Sequence, residues 1–158
     1  MSRGPATVEA RHCARIGAVQ ALYQMEMGGA GHEAVIREFE EHRFGKRVDE
    51  VDMPDADFEH FERVVRGVVS RQSEIDQGIN AVLRIGWPLA RLDATVRAVL
   101  RAGAYELLDC ADIPPKVVLN EYVELAGEFF SGDEPGFING VLDGFARKLQ
   151  SGGSDAAE

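Results

Sequence analysis

Basic charge, cysteine and long apolar runs are all scarce in this chain. Lys and Arg total 17 against 27 Asp and Glu, for a net charge of −10. That is the wrong sign for a protein held to nucleic acid by bulk attraction to phosphate. Two cysteines, Cys13 and Cys110, are too few for a disulfide framework and read as reduced thiols. No apolar stretch approaches the roughly 18 residues that a membrane span needs. The opening MSRGPATVEARH lacks an apolar signal core, so a cytoplasmic location is expected.

Catalytic patterns are scarce too. Gly28, Gly29 and Gly31 follow a helical stretch, not a strand, so they do not form a phosphate loop. There is no nucleophile elbow. Cys13 follows His12, but neighbours on a helix point about 100° apart and cannot act as nucleophile and base. A carboxylate di-metal site in a helical bundle needs two Glu-x-x-His pairs and further inward carboxylates. Glu9 and His12 match that spacing once, and Asp57 with His60 is a weaker echo. Because Asp57, Glu59 and His60 alternate with Phe58 and Phe61, they read as polar surface. No catalytic residue, metal or cofactor is expected.

What is present is a helical period, without strand alternation or internal repeat. The 45% hydrophobic content suits one globular domain with a sizeable core. The expected architecture is all-α, a bundle of about seven helices. Residues 1–7 read as a flexible arm, 8–150 as a single domain and 151–158 as a disordered tail. Between Glu33 and Glu62 there are 11 acids and 4 Lys and Arg, so the excess charge is local and the remainder carries only −3. Nucleic-acid contact is left possible through a patch.

Thr7 is placed to cap the first helix, whose apolar stripe is read as Ile16, Val19, Tyr23 and Met27. Arg11 and Arg15 lie one turn apart on its flank, where both should be replaceable without opening a cavity. A second helix from His32 to about Phe44 turns Val35, Ile36 and Phe39 inward. Gly45 to Asp57 reads as a solvated loop. Asp55 or Asp57 then caps a long helix through Arg84, with Gly67 or Gly78 as places where it could break. Gly86-Trp87-Pro88 is a turn.

From Arg91 to Asp143 the chain is organised most clearly. Asp93 caps a helix with Val96, Val99, Leu100, Gly103 and Leu107 on one face. Pro114 ends the turn after it and Pro115 suits the first position of the next helix. That helix carries Val118, Tyr122, Leu125 and Phe129 and ends near Gly132. A last helix from about Gly136 carries Ile138, Val141, Leu142, Phe145 and Leu149, which leaves Phe137 at its edge. Arg97 and Arg101 read as partners of acids on a neighbouring helix. Glu106, Asn120 and Glu121 interrupt apolar stretches and read as structural polar groups.

The strings LRAGAYELL, IPPKVVLNEYVELA and FINGVLDGFARKL, with AVQALYQMEMGG near the start, resemble the NusB family of bacterial transcription antitermination factors. The resemblance runs from about Arg11 to Leu149, with the motifs in family order. It implies RNA binding through Arg3, Arg11, Arg15, Tyr23, Phe137 and Asn139. It also implies partnership with NusE, the small-subunit ribosomal protein that doubles as a transcription factor. Together they would hold boxA-containing RNA in the RNA polymerase antitermination complex, promoting transcription of ribosomal RNA operons. Two positions depart from the family: His12 and Cys13 stand where relatives often have more basic residues, and Gly136 where a basic residue often precedes the Phe. Both imply a weaker phosphate grip. The same fold occurs as the N-terminal domain of certain ribosomal RNA cytosine methyltransferases, but the short stretch after Leu149 leaves no room for a catalytic domain. A metal- or cofactor-binding helical enzyme and a plain helical adaptor are the remaining alternatives.

Overall fold

Asp93 accepts hydrogen bonds from the backbone N–H groups of Thr95 and Val96 and so starts a helix that five others surround. This is a computed structural model that describes residues 7–42, 47–48, 51–52 and 57–156, with side chains at 7–42 and 57–151. Among the described residues there are seven α-helices: α1 (Val8–Gly28), α2 (His32–His42), α3 (Phe58–Ser70), α4 (Gln72–Val82), α5 (Ala94–Asp109), α6 (Pro115–Phe129) and α7 (Glu134–Ala156). A 3-10 turn, Leu89–Arg91, leads into α5. Two short strands, β1 (Arg47–Val48) and β2 (Val51–Asp52), pair antiparallel, a ladder that the sequence pattern did not suggest. The architecture is all-α, as expected.

Helix α5 packs against α1, α3, α4, α6 and α7. Nine of its residues, Val96, Ala98 to Leu100 and Ala102 to Glu106, are buried. The run of small residues at Ala98, Ala102, Gly103 and Ala104 lets neighbouring helices come close. The same device shifts the buried face of α1. It is formed by Ala14, Arg15, Gly17, Ala18, Val19, Ala21 and Leu22. Tyr23 and Met27, expected inward, are exposed. Large side chains drew the expected stripe, whereas alanines make the real contact.

The segment from Asp57 to Val82 is two helices, broken at Arg71 and at neither glycine. Both glycines are packing positions. A β-carbon on Gly67 would fall within the ring of buried Tyr105, and one on Gly78 would lie 2.5 Å from Phe145 Cε2. Helix α6 opens on Pro115 as expected but stops at Phe129. Helix α7 begins at Glu134 and continues past residue 151 to Ala156, where a disordered tail was expected. No proline interrupts the i→i−4 bonds there, so each further residue adds to a ladder already formed. Arg3 and most of the 45–57 loop lie outside the described residues.

Gly67→Ala should overpack the Tyr105 contact and cost about 1–3 kcal/mol. Gly140→Ala, with open space at its β-carbon, should instead stabilise α7 by about 0.5–1 kcal/mol. Thermal melts should separate the two in opposite directions, at about 2–4 °C per kcal/mol for a chain of this size.

Candidate nucleic-acid interface

Helix α1 carries most of the candidate contacts, and the sequence around it decides which of its side chains are free. Thr7 Oγ1 accepts from the Ala10 N–H at 2.9 Å and starts the helix. Asp57, the N-cap of α3, accepts from the His60 N–H with one carboxylate oxygen and from Arg11 Nε at 3.2 Å with the other. Its own N–H donates to the Ala10 carbonyl at 3.0 Å. The first turns of α1 and α3 are thereby tied together.

Arg15 is not on an open flank. It is 2% exposed, and its guanidinium makes a two-pronged contact with Glu106 of α5, at 2.9 Å from both Nε and Nη2. The Tyr122 hydroxyl of α6 donates to the same carboxylate. His60 of α3 places Nε2 3.3 Å from Glu106 Oε2, a close electrostatic contact rather than an aligned hydrogen bond. Four helices therefore meet at one buried carboxylate.

Burial alone would raise the Glu106 pKa, but the contacts from His60 and Arg15 outweigh it and hold the carboxyl at about 2. Burial and the Glu106 charge push the Tyr122 phenol well above its ordinary value, so it remains a donor. Burial works against the Arg15 charge too, and the Glu106 bond more than offsets it. These placements revise two expectations. Arg15 is a core ion-pair partner, closed off from direct phosphate contact. His60 is buried, not surface, because it continues the inward Val64 and Val68 row at one-turn spacing. Glu106 was legible as a structural polar group, while its partners were not.

The other positions divide by exposure. Arg11 is half-exposed beside Asp57. His12 Nε2 is 2.6 Å from Glu128 Oε2 and its Nδ1 is 3.5 Å from Glu121 Oε2, both on α6. Tyr23 is 40% exposed and Phe137 42%. Asn139 is exposed on α7, and Asn120 on α6. Tyr23 and Met27 of α1, Phe39 of α2 and Phe129 of α6 line an open groove of about 500 Å³. Residues 130–133 connect α6, which ends at Phe129, to α7, whose first turn carries Phe137. Arg97 and Arg101 are paired as expected, with Glu26 and Asp76; Arg101 Nε lies 2.9 Å from Asp76. Cys13 and Cys110 are free thiols. Among the described residues, no group of three or more His, Cys, Asp or Glu is placed to hold a metal, and no helix is long and apolar enough to cross a membrane.

The NusB family model matches residues 12–147. The chain belongs to the NusB family. It is 57% identical over 140 residues to a transcription antitermination protein NusB of Caulobacter vibrioides, covering 89% of this chain and 94% of that protein. It is 54% identical over 137 residues to the NusB of Maricaulis maris, covering 87% and 86%. Among solved structures, T. maritima NusB superposes with a TM-score of 0.73 at 30% identity, over 90% of this chain and 93% of that one. A chain from the crystal structure of antitermination factors NusB and NusE in complex with dsRNA gives 0.73 at 26% identity, over 90% and 99%. The NusB fold thus frames both the buried junction and the α1 face.

Arg15→Ala should cost about 3–5 kcal/mol, because it leaves the Glu106 charge buried without its main partner. Arg11→Ala should stay within about 1 kcal/mol of the parent, as expected for a partly exposed pair. Urea melts of the two single variants decide this. Acid titration adds a second check. The Glu106 pKa is depressed in the folded state, so its stabilisation is complete above the ordinary value of 4.5 and is lost as pH falls towards 2. Glu106→Gln should therefore be much less stable than the parent at pH 7, with the gap closing between pH 4.5 and 2.

Proposed function

We propose that this chain is a non-enzymatic, cytoplasmic transcription antitermination factor. It binds boxA-containing RNA together with NusE in the RNA polymerase antitermination complex and promotes transcription of ribosomal RNA operons. The observation that carries the reading is how the polar side chains at the start of α1 are committed. Arg11 is held by Asp57, His12 by Glu128, and Arg15 by Glu106. Phosphate must compete with the chain's own carboxylates, so backbone attraction contributes little. The exposed rings of Tyr23 and Phe137 offer stacking surfaces instead, with Arg11 and Asn139 as polar contacts. Arg15 supports the face from inside. A basic partner, drawn to an acidic chain, supplies the cations that this one lacks.

RNA affinity for the isolated chain should be weak, and NusE should raise it by roughly 5- to 150-fold. The slope of log affinity against log salt for the isolated chain should correspond to on the order of one to three phosphates. Titration of boxA RNA with and without NusE, at several salt concentrations, tests both; equal affinity in the two arms would sink the reading. Phe137→Ala should leave the melting temperature within about 2 °C, since the ring is partly exposed, on the basis that surface changes stay near 0.5 kcal/mol. It should weaken RNA binding by about 1–3 kcal/mol if a base stacks there.

A further inference from the structure

His12 lies between two acidic side chains. Nε2 faces Glu128 at 2.6 Å, and Nδ1 faces Glu121 at 3.5 Å. Carboxylates only accept hydrogen bonds, and a neutral imidazole has one donor and one acceptor. Whichever tautomer forms, a neutral ring turns a lone pair towards one of the two anions. A neutral ring can serve the 2.6 Å contact with Glu128, but only the imidazolium also turns positive charge towards Glu121, 3.5 Å from Nδ1. Among the described residues of α1, both arginines are already engaged. On α1, Arg11 is held by Asp57 of α3 and Arg15 by Glu106 of α5, with Arg15 Nη1 a further 3.7 Å from Glu121. Glu9 and Cys13 flank the ring on its own helix, and Glu124 stands exposed between Glu121 and Glu128 on α6. The side-chain hydrogen bond between α1 and α2, from Gln24 to Glu38, lies more than three turns away.

We propose that His12 is a proton-linked RNA-binding determinant: its imidazolium bridges Glu121 and Glu128, cancels carboxylate charge beside the α1 face, and makes RNA engagement tighter when protonated. The inference rests on the RNA-binding reading above. A neutral His12 leaves Glu128 uncompensated, and Glu121 met only by Arg15 at 3.7 Å, to repel an arriving phosphate. A charged one removes most of that repulsion and secures α1 to α6. Imidazole is the side chain whose charge ordinarily changes between pH 5 and 8.

The test is boxA RNA titration, with NusE present, at pH 5.5 and pH 8 for the parent, His12→Gln and Glu128→Gln. The parent should lose about two- to fivefold in affinity on going to pH 8, the range expected for one partly exposed charge pair. His12→Gln should show a smaller pH response than the parent. Glu128→Gln should bind RNA more tightly than the parent at pH 8. Melts at both pH values establish that each variant is folded. A parent that binds RNA equally at both pH values overturns the inference and leaves the RNA reading standing. So does His12→Gln keeping the parent's full pH response. Absence of RNA binding at either pH overturns the RNA reading and the inference together.

Discussion

The contact between Arg15 and Glu106 is the constraint around which the rest of this protein is arranged. A carboxylate that is 0% exposed is tolerable in a helical core only if its charge is met on several sides. Arg15 meets it from α1, His60 from α3 and Tyr122 from α6. Apolar packing fills the space between helices but specifies their relative rotation weakly. A two-pronged guanidinium contact specifies it closely, because both nitrogens must face both oxygens. The alanine-rich faces of α1 and α5 bring the helices near enough for that contact to form.

This junction also explains the character of the candidate RNA face. Arg15, turned inward, cannot serve phosphate, and Arg11, the outward arginine of α1, is taken by Asp57. Asp57 does two jobs, capping α3 and holding Arg11. Glu128 and Glu121 of α6 hold His12. The result is a face with compensated charge and exposed aromatic rings. Such a face suits single-stranded RNA, whose bases are available for stacking, better than the regular phosphate array of a duplex. Its acidic surroundings favour a basic protein partner and discourage indiscriminate binding to nucleic acid.

Much of the fold was legible in the residues because local signals and tertiary packing agree. Asp93, Pro115 and Thr7 act at helix starts as their chemistry demands. The inward rows of α2, α6 and α7 follow from large apolar side chains at helical spacing. Where packing uses small residues, that signal fades. The stripe of α1 was displaced because Ala14, Ala18 and Ala21 carry the contact. Gly67 and Gly78 looked like breaks because glycine weakens isolated helices, yet here each leaves room for an aromatic ring.

The sequence by itself therefore determined the class, the order and most of the starts of the helices, together with the family to which the motifs belong. Those properties depend on capping, proline and apolar period, which act over a few residues. Which polar groups meet was decided only in three dimensions. Arg15 and Glu106 are separated by 91 residues and His12 and Glu128 by 116, so no local pattern relates them. A charged residue on a helix reads as solvated until a second helix brings its counter-charge, and burial then turns the same side chain from a surface contact into part of the core.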